Sequence, residues 1–249
     1  MTRIICPSRW WLLALSKQKQ HQHDGICLFK IMANNYGEFQ KAFSRDKAQA
    51  ADPLRKLFSD ERIKDLIGFQ SLFEAFSGAS FNSGVYRILL PDEITSWEQR
   101  ITAAFPDFRN KFIPFGYDWL DRFFCLDLER EEQQEPLVLL FSNFTDEVLE
   151  IPANLIDFHN SILVGQSEPA LELNMFEKFL SAAHVPCLNR TECAEAVIPL
   201  YFGGAFAVEN MKLSDTLAYW EISAQLLSQA RSVDEGVRIN RVSIKRSQK

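Results

Sequence analysis

Hydrophobic positions follow two rhythms along this chain. Between Tyr36 and Phe76 they recur at helical spacing: Phe39 and Phe43 lie four apart, and Leu54, Leu57 and Phe58 follow Asp52-Pro53, a favourable helix start. Ser77-Gly-Ala-Ser80 breaks that rhythm, and from Gly84 the chain alternates, predicting a strand over 85–90. Pro91-Asp-Glu93 then opens a helix whose Ile94, Trp97, Ile101, Ala104 and Phe105 form one stripe, ended by Pro106-Asp107. Strands are expected over 111–117, 122–128, 137–141 and 147–151, with the acidic stretch Glu129-Arg-Glu-Glu-Gln-Gln-Glu135 as a solvated hairpin loop. Strands joined through short polar turns make an antiparallel meander, and a helix over 155–164 closes it.

Gly165-Gln-Ser-Glu-Pro169 reads as a domain junction. Beyond it a helix is expected over 171–183, with Leu173, Phe176 and Leu180 on one face, then a strand over 196–202 and a helix over 213–230. The best-organised stretch is Ile198-Pro-Leu-Tyr-Phe-Gly-Gly204 with the polar turn at Glu209-Asn210 and the helix after it. Gly203-Gly204 is followed neither by the third glycine of a dinucleotide fingerprint nor by the Lys-Ser/Thr of a P-loop, so the pair reads as scaffold. The fold class expected is α+β: an antiparallel meander sheet with flanking helices, plus a C-terminal, mostly helical unit.

Charge divides the chain in a way its overall −6 conceals. Residues 1–31 and 231–249 each carry a net +4, leaving −14 on the 199 residues between them. Such a body repels phosphate backbones and attracts cationic proteins, which argues against nucleic acid as a partner. No run reaches the ~18 apolar residues that cross a bilayer, so no membrane partner is expected. Residues 1–31 look foreign to the rest: Trp10-Trp-Leu-Leu-Ala-Leu15 follows Pro7, is short for a signal segment and precedes no small-residue cleavage site. The expectation is a leader over 1–31, native translation from Met32, and a basic tail over 234–249 in which 237–244 alternates as an edge strand would. Five cysteines without a regular framework (Cys6, Cys27, Cys125, Cys187, Cys193) suit a reduced, cytoplasmic protein.

Candidate chemistry is sparse. His184, Cys187 and Cys193 are the one cluster of soft ligands, but their spacing matches no usual zinc pattern and a fourth ligand is lacking, so no metal is expected. The same three residues are the basis of an alternative reading, a small hydrolase or thiol enzyme. Cys125, beside Phe123 and Phe124 in a strand, reads as buried and inert, and His159 as a packing or surface residue. There is no Gly-x-Ser-x-Gly, no His-Glu-x-x-His and no kinase set, so neither a catalytic residue nor a cofactor is expected. Gly116-Tyr117-Asp118-Trp119 suggests a tight turn between strands, with Asp118, Asp121, Asp127 and Glu129 clustered about it as a solvated rim. Trp119 there is either an exposed anchor or a buried turn brace.

Two regions carry a family resemblance. Gly84-Val-Tyr-Arg-Ile88, Trp97, Phe105-Pro106, Ile113-Pro-Phe-Gly-Tyr-Asp-Trp-Leu120, Ile151-Pro152 and Phe158-His159-Asn160 resemble the GAD-like domain. Glu192-Cys193, Ile198–Gly204, Glu209-Asn210 and Ile222-Ser-Ala-Gln-Leu226 resemble the C-terminal domain of type VI secretion immunity proteins, although the family's Gly-Tyr or Gly-Phe before the C-terminal strand is here Ala194-Glu-Ala196. The resemblance implies a GAD-like domain over 32–165, an immunity-type domain over 170–233, and a protein that binds and neutralises a cognate effector toxin, a nuclease, rather than turning over a substrate. Structural motif positions are then Gly116, Tyr117, Gly203, Gly204, Glu209 and Asn210. Acidic and aromatic candidates for contact with a basic toxin are Asp118, Trp119, Asp121, Glu129, Glu131, Glu132 and Glu135.

Overall fold

The computed structural model describes residues 35–46, 61–63, 66–232 and 244. The expected leader, the helix around Leu54 and, apart from Ile244, the tail strand over 237–244 lie outside the described residues. Within them the chain is α+β. A six-stranded antiparallel sheet runs in strict chain order: β1 (Ser80–Phe81), β2 (Tyr86–Ile88), β3 (Phe112–Asp118), β4 (Phe123–Glu132), β5 (Glu135–Ser142) and β6 (Glu147–Asn154). A two-stranded sheet of β7 (Glu192–Ala196) and β8 (Met211–Asp215) stands apart.

Aromatic alternation in β4 fixes both faces of the large sheet. Phe123 points to one side, where it stacks on Tyr117 and meets Trp97 of α3 (Ile94–Ala104) and Trp220 of α7 (Thr216–Arg231). Phe124 points to the other, against Tyr86 and Phe158. That second face is covered by α1 (Gly37–Ala42), α2 (Ile67–Phe76) and the segment after β6, where α4 (Leu155–Asp157) runs into a π-helical turn, Phe158–Leu163. The expected helix over 155–164 is thus present but widened by the π turn. Helices α5 (Ser167–Leu171) and α6 (Leu173–Ala183) follow, and one hydrophobic cluster extends from Tyr36 to Leu227.

The stripe read from the sequence is the buried face of α3: Ile94, Trp97, Ile101 and Ala104. Trp220 Nε1 donates to the Arg100 carbonyl at 3.1 Å, joining α7 to α3, and Asp215 caps α7 by accepting from the Ala218 amide at 2.9 Å. The expected helix start at 213 shifts to Thr216, because Leu213 belongs to β8 and pairs with Ala194.

The expected strand over 196–202 is not formed. Only Ala196 lies in a strand, Ile198 is 52% exposed, and Leu200–Phe202 is a 3-10 turn. Pro199 has no amide hydrogen to give a ladder. Asn210 bonds the loop instead: its Oδ1 accepts from the Ile198 amide at 2.8 Å, and its Nδ2 donates to the carbonyls of Ile198 (2.8 Å) and Ala205 (2.9 Å). Gly203 has φ +88°, and a Cβ on Gly204 would lie 1.8 Å from the Ile198 carbonyl oxygen. The two glycines are therefore required by the loop that Asn210 closes. Glu209 is exposed beside it.

Candidate partner-binding surface

The turn between β3 and β4 differs from its expected form. Gly116 and Tyr117 lie inside β3, paired with Phe124 and Phe123, and the reversal falls on residues 119–122. Gly116 serves the strand: a Cβ there would lie 2.7 Å from the Arg87 carbonyl oxygen. Asp118 builds the turn. Its Oδ1 accepts from the amides of Leu120 (3.0 Å) and Arg122 (3.1 Å), and its Oδ2 from Arg122 Nε at 2.6 Å. Arg122 in turn donates to the Ala170 carbonyl.

Asp118, Trp119 and Asp121 are each 0% exposed. This corrects the expectation that they offer an anchor to a partner, and Trp119 is the buried turn brace. Its Nε1 donates to the Leu171 carbonyl at 2.7 Å and its ring packs on Phe176 and Phe179 of α6. The Asp118 carboxylate, which made this stretch look solvated, is consumed by the turn itself.

The acidic stretch after it is exposed, but it is ladder rather than loop. Strand β4 continues to Glu132 and β5 begins at Glu135, leaving Gln133 and Gln134 as a two-residue turn with φ of 55° and 65°. Glu129, Glu131 and Glu132 are exposed and Glu135 is half-buried, which pushes its carboxyl up from the ordinary value. Residues 127–135 hold five acids and one base. That base, Arg130, donates to buried Asp127 at 2.5 Å and lies 3.3 Å from Glu150 on β6, while Lys111 lies 3.2 Å from Glu129. The hairpin is an acidic arm whose root, Phe123 to Leu126, lies in the core.

The thiol cluster is dispersed in environment. Cys193 is fully buried on β7 and its thiol is pushed well up by burial and by Asp121, with Arg87 opposing; Cys187 and His184 are exposed. Among the described residues no group of three or more His, Cys, Asp or Glu side chains is placed to hold a metal ion. Cys125 is buried in β4, where burial raises its thiol as expected.

Two further buried centres lie on either side of β2, one at His159, read from the sequence as a packing or surface residue, and one at Arg87. His159 sits at 0% exposure on the π turn, with Nδ1 2.8 Å from the Leu155 carbonyl and Nε2 3.0 Å from the Tyr86 hydroxyl. A carbonyl only accepts, so Nδ1 carries the proton and Nε2 accepts from Tyr86. On the other side of β2, Arg87 is also 0% exposed, 5.3 Å from the Tyr117 ring centroid, and its three guanidinium nitrogens have no hydrogen-bond partner among the described residues. Both carboxylate oxygens of Asp121 are equally unpartnered there. Burial raises the Asp121 carboxyl well above its ordinary value, against the pull of Arg87 and with Asp118 and Asp215 adding to the rise.

No protein-family model matches this chain. No curated protein matches it either. Among solved structures the chain is similar to the crystal structure of Atu4351 from Agrobacterium tumefaciens, at 15% identity and a TM-score of 0.53, over 76% of this chain and 88% of that one. At that identity the likeness is one of fold. Among the described residues no helix is long and apolar enough to cross a membrane.

Proposed function

We propose that this chain is an immunity protein, a cytoplasmic binder that neutralises a cognate antibacterial effector with a basic, nucleic-acid-cleaving surface. The observation that carries the reading is the acidic β4–β5 hairpin. It exposes Glu129, Glu131 and Glu132 along the end of β4, just before a two-residue turn, on a body of net charge −14. An enzyme that grips DNA carries Lys and Arg where the phosphates lie, and carboxylates held along a strand complement that surface at little ordering cost. The tandem resemblance to GAD-like and type VI immunity domains points the same way.

Co-expression with the effector encoded beside it should restore growth of cells that the effector kills. Reversing Glu131, Glu132 and Glu135 to Lys should slow association at low salt by about tenfold or more, because rim charges act chiefly on the encounter rate. Raising the salt should narrow the gap between variant and wild type. A variant that associates as fast as wild type at low salt removes the hairpin from the interface. Failure to protect against every neighbouring effector removes the immunity reading itself.

A further inference from the structure

His159 lies within an aromatic cage built by four elements. Tyr36 and Phe39 come from α1 and the residue before it, Tyr86 from β2, Phe115 from β3 and Phe158 from the π turn, with ring centroids 5.1 to 5.8 Å from the imidazole. The two faces that α1 presents to this cage, Tyr36 and Phe39, are both nearly perpendicular to the histidine ring. Outside the cage, Tyr36 and Phe39 both pack on Phe76, and Phe39 also on Phe81. Asn160, next in sequence to the histidine, accepts from the Phe39 amide at 3.2 Å and donates to the Asn35 carbonyl at 2.7 Å. Tyr36 donates to the Gly68 carbonyl at 2.6 Å, and Asn35 to Ser71 at 3.1 Å. The helix has six residues, too few to persist without such contacts.

The geometry points to His159 as a proton-operated latch for α1. Solvent supplies a proton to Nε2, which then cannot accept from Tyr86. The two donors face each other inside an apolar cage, and the arrangement relaxes by releasing the element that closes it. The sheet keeps its own ladder, and Asp46 stays anchored through Ser80 Oγ, Ser83 N and Gly84 N, so the freed helix remains tethered to β1. A π turn suits this role, since such turns mark places where a helix departs from its regular ladder to position a side chain.

The titratable groups facing the imidazole are Tyr36 from α1 and Tyr86 from β2; β3 and the π turn contribute Phe115 and Phe158. Both phenols are pushed up by burial, with Glu135 adding to the rise at Tyr36, and Tyr36 and Asp118 adding at Tyr86. The imidazole goes the other way: burial lowers it from 6.5 to about 4, the Leu155 carbonyl opposing. Of the side chains that form the cage, the histidine is the one that changes charge in mild acid.

Amide hydrogen exchange on the full chain tests the latch. After correction for intrinsic rates, protection at Phe39, Gln40 and Phe43 should fall by on the order of 80-fold from pH 6.5 to 4, the part of the displacement to about 4 that this window spans, while β4 and β5 amides hold. In His159→Gln, which has no proton to gain, that step should vanish. In Tyr86→Phe, where Nε2 loses the donor that favours its neutral form, the step should move to higher pH, and this variant carries the test if the glutamine chain does not fold. Loss of α1 and sheet protection together, or a step unmoved by these substitutions, overturns the proposal.

Discussion

Tyr86 and Arg87 are consecutive residues of β2 and open onto opposite faces of the sheet, into two buried polar centres of opposite construction. Tyr86 leads to His159, where both ring nitrogens have partners and five aromatic rings surround the imidazole. Arg87 leads to Asp121, where a guanidinium and a carboxylate lie buried without hydrogen bonds among the described residues. The first centre is neutral and satisfied; its weakness is the arrival of a proton. The second already contains ionisable groups out of water, and its weakness is the charge itself. Asp118, three residues before Asp121 and just as buried, shows what a satisfied carboxylate looks like in the same turn.

The hardest test of this contrast is Asp118→Ala. It strips two amides and the buried Arg122 of their acceptor, and should cost about 3–5 kcal/mol in denaturant unfolding. A loss near 1 kcal/mol would mean that the partnered aspartate is not what holds the turn. Next in size is acid. Because His159 is held neutral, with its pKa lowered to about 4, its contribution is whole above pH 6.5 and lost as pH falls from 6.5 towards 4, about 3 kcal/mol in all. Stability of wild type minus His159→Gln, followed by urea midpoints across that range, reads it directly. If the difference is flat, the cage tolerates the charged ring.

Asp121 should behave with the opposite sign. Its carboxyl is raised by burial, so the stability it contributes is whole below pH ~4 and falls as pH rises and the unfolded chain ionises first. Asp121→Asn should therefore gain on wild type by about 1.4 kcal/mol per pH unit above ~4, until the folded carboxyl ionises too. A variant that loses ground with rising pH would show that Asp121 stabilises Arg87 as a counter-ion and is no fault. The smallest effect belongs to the hairpin: Glu131, Glu132 and Glu135 changed to Lys should shift stability by no more than about 0.5 kcal/mol. A larger loss would place those carboxylates among the groups that support the fold.

The meander and the α3 stripe were legible because one face of each is buried, and burial imposes the period. What resisted reading has a common cause: polar residues spent on backbone. Asp118 and Asn210 look solvent-seeking in a sequence, yet both side chains close turns, one bringing Trp119 under α6 and the other replacing a strand with a loop. The acidic hairpin was found at the right residues but as ladder, since Gln133-Gln134 carries no glycine to announce a turn with two positive φ angles. His159 was read as a packing or surface residue, and it is a packing one, but nothing local to it announced its surroundings. The cage that matters is assembled from Tyr36, Tyr86 and Phe115, too distant in sequence for any local pattern to connect.

The strict chain order of the sheet has a consequence for how the protein is made. Every rung of β1 to β6 joins neighbours along the chain, and apart from β2 and β3, which α3 separates, the strands meet through short loops and can zip as soon as they leave the ribosome. The face that carries Trp97 and Phe123 cannot be finished then, because its cover, Trp220, is translated about a hundred residues later. At the 5–20 residues per second of synthesis, that aromatic surface stands open for roughly 5–20 s in each nascent chain. The last helix is therefore the element that closes this aromatic face in a newly made molecule.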